Sequence, residues 1–191
     1  MSGVRSAQQA ERRDRVVAAA MALAAKGGYE AVQMRAVSQE ADVALGTIYR
    51  YFSSKDHLLA AAMGEWTSRL RTRVAQSPPK GDTMADQLVD VLHRACKAME
   101  RQPKLSMALI RSLSSADPGV NESGTAVQAE IALMGDEILQ GLDAELRNDI
   151  LRVIGHVWYS ALMTWANGRR DFESVVTELD RAVHVLVDPH E

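Results

Sequence analysis

Met34-Arg35-Ala36-Val37-Ser38-Gln39-Glu40-Ala41-Asp42-Val43-Ala44-Leu45-Gly46-Thr47-Ile48-Tyr49-Arg50-Tyr51-Phe52 decides the fold. Val37, Ala41, Val43, Ile48 and Phe52 are spaced to clamp two short helices together, the first running to about Glu40 and the second starting near Ala44. The corner at Ala41-Asp42-Val43 needs a residue that tolerates the left-handed region, and Asp or Asn is the least costly choice after Gly. The spacing therefore predicts a helix-turn-helix with Asp42 as its left-handed residue. The second helix presents Leu45, Thr47, Tyr49 and Arg50 outward, and the small Gly46 lets its start approach a major groove closely. An ordinary helical hairpin in a bundle core has the same apolar pattern, so this stretch alone leaves both readings open.

The rest of the composition fits a helical protein. The 191 residues are 47% hydrophobic and 25% charged, enough for a core in one domain or two small ones. Ala, Leu, Val and Met dominate the apolar set, and β-branched or aromatic runs are short, which predicts an all-α chain. The single Cys96 excludes an intramolecular disulfide and falls on an apolar helical stripe, the place of a buried inert thiol. No apolar run approaches the roughly 18 residues of a membrane span, and the N-terminal residues are polar and basic, without a signal-peptide core. A soluble cytoplasmic protein with no membrane partner is expected.

The net charge of −3 hides an asymmetry. Up to residue 75 there are 11 Lys and Arg against 7 Asp and Glu; beyond it there are 11 against 18. A basic first part on an acidic remainder suggests a phosphate-facing module joined to a regulatory body. Arg5, Arg12, Arg13 and Arg15 crowd the start of the first helix, where cations oppose the helix dipole and an outside anion would relieve the cost. They suit DNA phosphates, or a solvated terminus.

Further helices follow by periodicity. The first runs from about Ala7 to Lys26, with Val16, Ala20, Leu23 and Ala24 on one stripe, and Gly27-Gly28 ends it. A fourth helix runs from about Lys55 to Ala75 behind a Ser53 or Ser54 cap. Pro78-Pro79 breaks it. A fifth follows a Thr83 cap, and a sixth carries Pro103 in its first turn. Ser114 to Gly124 reads as a long, mobile, turn-rich connection. The seventh helix is expected over about Thr125 to Leu142, with Val127, Ile131, Met134, Ile138 and Leu142 in register. An eighth, about Glu145 to Asn167, has an unusually broad apolar face, and a ninth spans about Phe172 to Val187.

Val43-Ala44-Leu45-Gly46-Thr47-Ile48-Tyr49-Arg50-Tyr51-Phe52-Ser53-Ser54-Lys55, placed after a basic helix, resembles the DNA-binding domain of the TetR family of bacterial repressors, and the nine-helix layout extends the likeness over nearly the whole chain. The run from Lys26 to Val37, with Val157-Trp158 and Trp165, resembles more narrowly the KstR-type branch of actinobacterial repressors of steroid (cholesterol) catabolism. Two positions depart from the family pattern. Asp42 replaces the usual turn Gly, and Gln33 stands where a Thr usually caps the second helix, which puts that cap bond in doubt.

The resemblance implies a domain boundary, a DNA-binding domain over 1–54 and a ligand-binding and dimerisation domain over 55–191. It implies DNA contacts, mostly to phosphates, for Thr47, Tyr49, Tyr51 and Lys55, with groove contact plausible at Leu45, Gly46 and Arg50 and a phosphate or groove-edge contact for Arg35. It implies a ligand cavity for which Met63, Trp66, Met99, Leu109, Ile110, Met134, Ile138, Trp158 and Leu162 are candidates, and a small apolar effector, in the narrower branch a steroid or its acyl-CoA thioester. It also implies a homodimer through the last two helices, with Ile154, Val157, Ala161, Val176, Leu179 and Val183 as candidates. The double-stranded DNA partner would be an inverted-repeat operator.

Other readings differ in class. One keeps the regulator and changes its target to efflux or another pathway with an unrelated apolar ligand. Another is a helical ligand-binding protein without DNA, against which the basic reading head argues. An enzyme is not expected: the five histidines are scattered, and there is no H-E-x-x-H spacing, glycine-rich phosphate loop or nucleophile elbow. No metal or other cofactor is expected.

Overall fold

The computed structural model describes residues 2–190, and side-chain surroundings from residue 7 onward. Arg5 thus lies outside the described side chains. Among the described residues the chain forms nine α-helices and no strand: α1 (Ser2–Ala31), α2 (Met34–Ala41), α3 (Leu45–Tyr51), α4 (Lys55–Ala75), α5 (Met84–Glu100), α6 (Pro103–Ser112), α7 (Pro118–Asp136), α8 (Ala144–Ala166) and α9 (Phe172–Val187), closed by a short 3-10 turn, Asp188–His190. None of these helices is long and apolar enough to cross a membrane.

The helices group into two compact units. The first holds Met1–Glu65 with Gln102–Gly124, the second Trp66–Arg101 with Thr125–Glu191. Helices α4 and α7 each run from one unit into the other without a break in the chain.

In the first unit, α1 packs on α6, α2 and α3. Its core is Val16, Ala20, Ala24, Val37, Ile48, Phe52, Leu58, Leu59 and Leu109, all essentially without solvent contact. The first helix turns off-axis at Gly28, which takes φ 71° and ψ −163°: a positive φ but not the left-handed cap expected of the Gly27-Gly28 pair, and the helix resumes beyond it to Ala31 instead of ending at Lys26. In the second unit, α9 packs against α8 and α5. Leu88, Val91, Cys96, Met99, Ile154, Trp158, Leu179 and Val183 form that core. Trp165 meets Phe172 edge to face at 4.8 Å, closing the corner between α8 and α9. Thr83 caps α5 through Asp86 N, Asp143 caps α8 and Asp171 caps α9.

Helix seven corrects the sequence reading at both ends. It begins at Pro118, inside the stretch expected to be a mobile connection, and stops at Asp136. Asp117-Pro118 reads equally as a turn or as a cap followed by a first-turn proline, and here it is the latter: the Asp117 carboxylate accepts from Gly119 N at 2.9 Å. The early stop shifts the register, so that Leu139, in the turn beyond α7, is fully buried while Ile138 is only half-buried.

Candidate nucleic-acid interface and effector body

The turn between α2 and α3 is built as the sequence required. Asp42 sits at φ 50°, ψ 51°, and it is the one non-glycine residue with positive φ among the described residues. Asp42 N donates to Gln39 O at 3.3 Å and Val43 N to Ser38 O at 3.1 Å, which satisfies the last carbonyls of α2. Ser38 Oγ closes the corner by donating to Val43 O at 2.7 Å. At the other end of α2, Gln33 makes no cap bond; its Nε2 turns back to Glu30 O at 3.1 Å.

This geometry sorts the outer face of the motif. Arg35, Gly46, Tyr49 and Arg50 are exposed, Tyr49 to 51%, while Leu45, Thr47 and Tyr51 are half-buried. Arg35 and Arg50 have no acidic partner among the described residues, so both guanidinium groups are free for an outside acceptor. A Cβ placed on Gly46 would meet nothing within 4 Å, so packing does not demand a glycine there. Of the N-terminal cations, Arg12 and Arg15 are exposed, and Arg13 lies over the Phe52 ring, 5.4 Å from its centroid.

Lys55 is more engaged than the sequence suggested. Its Nζ stands 3.7 Å from the centroid of the Tyr29 ring and 3.4 Å from Tyr29 O. The Arg111 guanidinium also stacks on that ring, at 4.2 Å. The Tyr29 hydroxyl donates to Asp56 Oδ1 at 2.5 Å. Burial, then the bond to Asp56, pushes the phenol up to about 12. A second tie joins the start of α4 to the start of α7: Ser53 Oγ and Ser54 Oγ both donate to the Asp117 carboxylate, at 2.8 and 2.6 Å to Oδ2. The His57 ring packs so closely on Gly119 that a Cβ there would collide with it. Sequence reasoning missed Tyr29, Arg111 and Asp117. Their partners lie 26 to 82 residues away, beyond any local pattern, and only Asp117-Pro118 carried a signal.

The effector candidates fall in both units. Met63, Leu109 and Ile110 are buried in the first. Met99, Met134, Trp158 and Leu162 are buried in the second, where Trp66 and Ile138 are half-buried. The Trp158 indole is 2% exposed, and its Nε1–H meets no acceptor in good hydrogen-bond geometry. The Cys96 thiol faces this indole; burial pushes it up to about 12, against a smaller downward pull from the Trp158 N–H.

The dimer candidates differ in burial. Ile154, Ala161, Leu179 and Val183 are buried within the single chain. Val157 and Val176 remain half-exposed, and Val153, Tyr159 and Val185 are exposed, Val185 to 67%. Apolar periodicity marks a broad face without dividing it between inside and outside, which is why the two sets merged in the sequence.

Comparison with known proteins places the whole chain. Residues 16–62 match the family described as bacterial regulatory proteins, tetR family, and residues 81–186 match the tetracyclin repressor-like C-terminal domain. The chain is 40% identical to the HTH-type transcriptional repressor KstR of Mycobacterium tuberculosis over 95% of its length and 83% of the relative's. It is 39% identical to the KstR repressor of Mycolicibacterium smegmatis over 97% of its length and 92% of that protein's. Among solved structures it superposes on a TetR transcriptional regulator from Rhodococcus sp. RHA1 with a TM-score of 0.85 at 30% identity, over 96% of this chain and all of the other. It also shares its fold with Thermus thermophilus FadR, a repressor solved in complex with lauroyl-CoA, at a TM-score of 0.74 and 20% identity over 91% and 92% of the two chains. The helix-turn-helix at Met34–Tyr51, the helical body behind it and these relatives lead to one conclusion: the chain belongs to the TetR family of bacterial transcriptional regulators.

Proposed function

We propose that the protein is a homodimeric repressor of lipid or steroid catabolism genes that reads an inverted-repeat operator in the cytoplasm and is released from it by a bulky apolar effector or its acyl-CoA thioester. The observations that carry the reading are the exposed guanidinium groups of Arg35 on α2 and Arg50 on α3, neither with an acidic partner among the described residues, and the open space at Gly46 on α3. The similarity to KstR repressors over nearly the full chain supports the choice of pathway. The acyl-CoA bound by FadR supports the effector class.

In this reading Arg50 reads a base edge, while Arg35, Thr47, Tyr49, Tyr51 and Lys55 hold the phosphates. We assign DNA binding to 1–54 and effector binding and dimerisation to 55–191. Helix α4 begins at Lys55 beside the reading head and continues past Glu65 into the second unit as one helix, so a ligand there that tilts α4 changes the presentation of α3. The effector must bind the released form better, by about 1.4 kcal/mol for each tenfold loss of operator affinity. Footprinting on the DNA upstream of the protein's own coding region tests the reading. A protected site with two-fold symmetry and half-sites about one helical turn apart is expected. A footprint without that symmetry rejects the dimeric operator, and an acyl-CoA that leaves operator affinity unchanged rejects the induction step.

A further inference from the structure

The first part of α1 is a helix that packs on nothing. Residues 7–15 are helical and every one of them is exposed; burial begins only at Val16 and Val17. The stretch Ala7-Gln8-Gln9-Ala10-Glu11-Arg12-Arg13-Asp14-Arg15 has no apolar stripe, so it neither adds to the core nor offers a greasy face to a partner helix. It also precedes the residues that match the tetR family domain, which begin at 16, and so lies outside the shared reading-head motif.

Its charges are sorted around the helix axis. With about 100° between successive residues, Glu11 points nearly opposite to Arg13, and Arg12 and Asp14 fall on opposite flanks of Arg13. Arg12 and Arg15, three apart, share a face. Arg13 shows where the reading head lies: its guanidinium stands over the ring of Phe52, 5.4 Å from the centroid, and Phe52 is the residue that ends α3. Tyr51 and Lys55, both assigned to phosphates above, flank Phe52 in the chain. Arg13 is thus spent on holding α1 against the end of α3. Arg12 and Arg15 remain exposed with no acidic partner among the described residues, Glu11 and Asp14 included.

We propose that Arg12 and Arg15 grip the DNA backbone beside the half-site that α3 reads, so that the operator extends past the base pairs it specifies. The inference rests on the regulator reading above and adds a binding surface to it. A guanidinium without a carboxylate neighbour takes phosphate oxygens in pairs, and duplex DNA supplies them continuously on either side of the bases being read. Such contacts position the protein and strengthen binding to every sequence alike, because phosphates carry no base identity.

The test uses the full-length protein and three duplexes: the footprinted site cut to its inverted repeat, the same repeat with a further helical turn of DNA on each side, and the longer duplex with the repeat scrambled. Affinities are measured over a range of salt concentrations. Wild type is expected to bind the longer operator more tightly than the shorter one. Arg12→Gln with Arg15→Gln should lose that gain and weaken the longer operator and the scrambled duplex by the same factor. It should also lower the slope of log affinity against log salt by about two. Arg12→Lys with Arg15→Lys should keep the slope, and both pairs should melt with wild type because neither position is packed. A Gln pair that keeps the wild-type slope and the gain from flanking DNA overturns the proposal. So does a Gln pair that changes base preference, which would put these arginines in a groove. A wild type that does not prefer the operator to the scrambled duplex fails the regulator reading instead, and the slopes on the scrambled duplex still decide the grip.

Discussion

Ser54 Oγ donates to Asp117 Oδ2 at 2.6 Å, joining residues 63 positions apart and tying the residue just before α4 to the residue just before α7. The same carboxylate takes Ser53 Oγ and Gly119 N. These bonds, from Ser54 first, hold the Asp117 carboxyl below its ordinary value of 3.8.

Asp117→Ala therefore removes the cap of α7 and the tie to α4 together. A carboxylate depressed in the folded state contributes stability that is present above its unfolded value and lost as the pH falls through the folded one. The variant should melt below wild type at neutral pH, and the gap should close as the pH is lowered from about 4. Ser54→Ala should show the same trend more weakly. Melting curves across this range check it, and a gap that stays constant into acid would rule out the carboxylate as its source.

At Gly46 folding and binding pull apart. Nothing stands where a side chain would go, and Ala is preferred over Gly in a helix by about 0.5–1 kcal/mol. Gly46→Ala should leave the protein as stable as wild type or slightly more so, yet bind operator more weakly because the added methyl group meets DNA. Thermal melts paired with fluorescence anisotropy measure both; unchanged operator affinity would mean that this helix start never approaches a groove.

Arg50 and Arg35 are both exposed and unpaired, but their assigned roles differ. Arg50→Ala should cost about 1–3 kcal/mol on the native operator and relax the preference at one base pair. Arg35→Ala should weaken all sequences alike and reduce the salt dependence by about one phosphate. Binding to an operator library at two salt concentrations separates them.

Cys96 offers a readout of the body's integrity. With its thiol at about 12, almost none is thiolate near pH 8. Native protein should resist maleimide for hours at that pH and react at once in denaturant. Fast native labelling would show that the α5–α8 packing around Trp158 opens readily.

What could be read from sequence divides along the range of the interactions. The helix-turn-helix was legible because its clamp at Val37 and Ile48, its left-handed Asp42 and its unusual Gln33 are local, and each does what backbone geometry requires of it. The Thr83 cap of α5 and the first-turn Pro103 of α6 were legible for the same reason. The contacts of Lys55 and Arg111 with the Tyr29 ring were not, since neighbours so far apart in sequence leave no periodicity. The register of α7 failed for another reason. Ile138 and Leu139 are equally apolar, and only the place where the helix stops decides which of them faces inward.

Helices α8 and α9 give the dimer proposal its sharpest check. Leu179 is fully buried in its own chain, whereas Val157 keeps part of its surface open on α8. Leu179→Ala should lower stability by about 2–5 kcal/mol through the cavity it leaves, with the sedimentation of the folded protein unchanged. Val157→Glu should leave the protomer's helical content intact while shifting sedimentation toward monomer, because a charge on the shared face is desolvated only when two copies meet. Operator affinity should fall with the second variant in proportion to the lost dimer, since each half-site then binds alone. A Val157→Glu protein that still sediments as a dimer would move the interface off this face of α8, and Tyr159 and Val185 would be the next positions to charge.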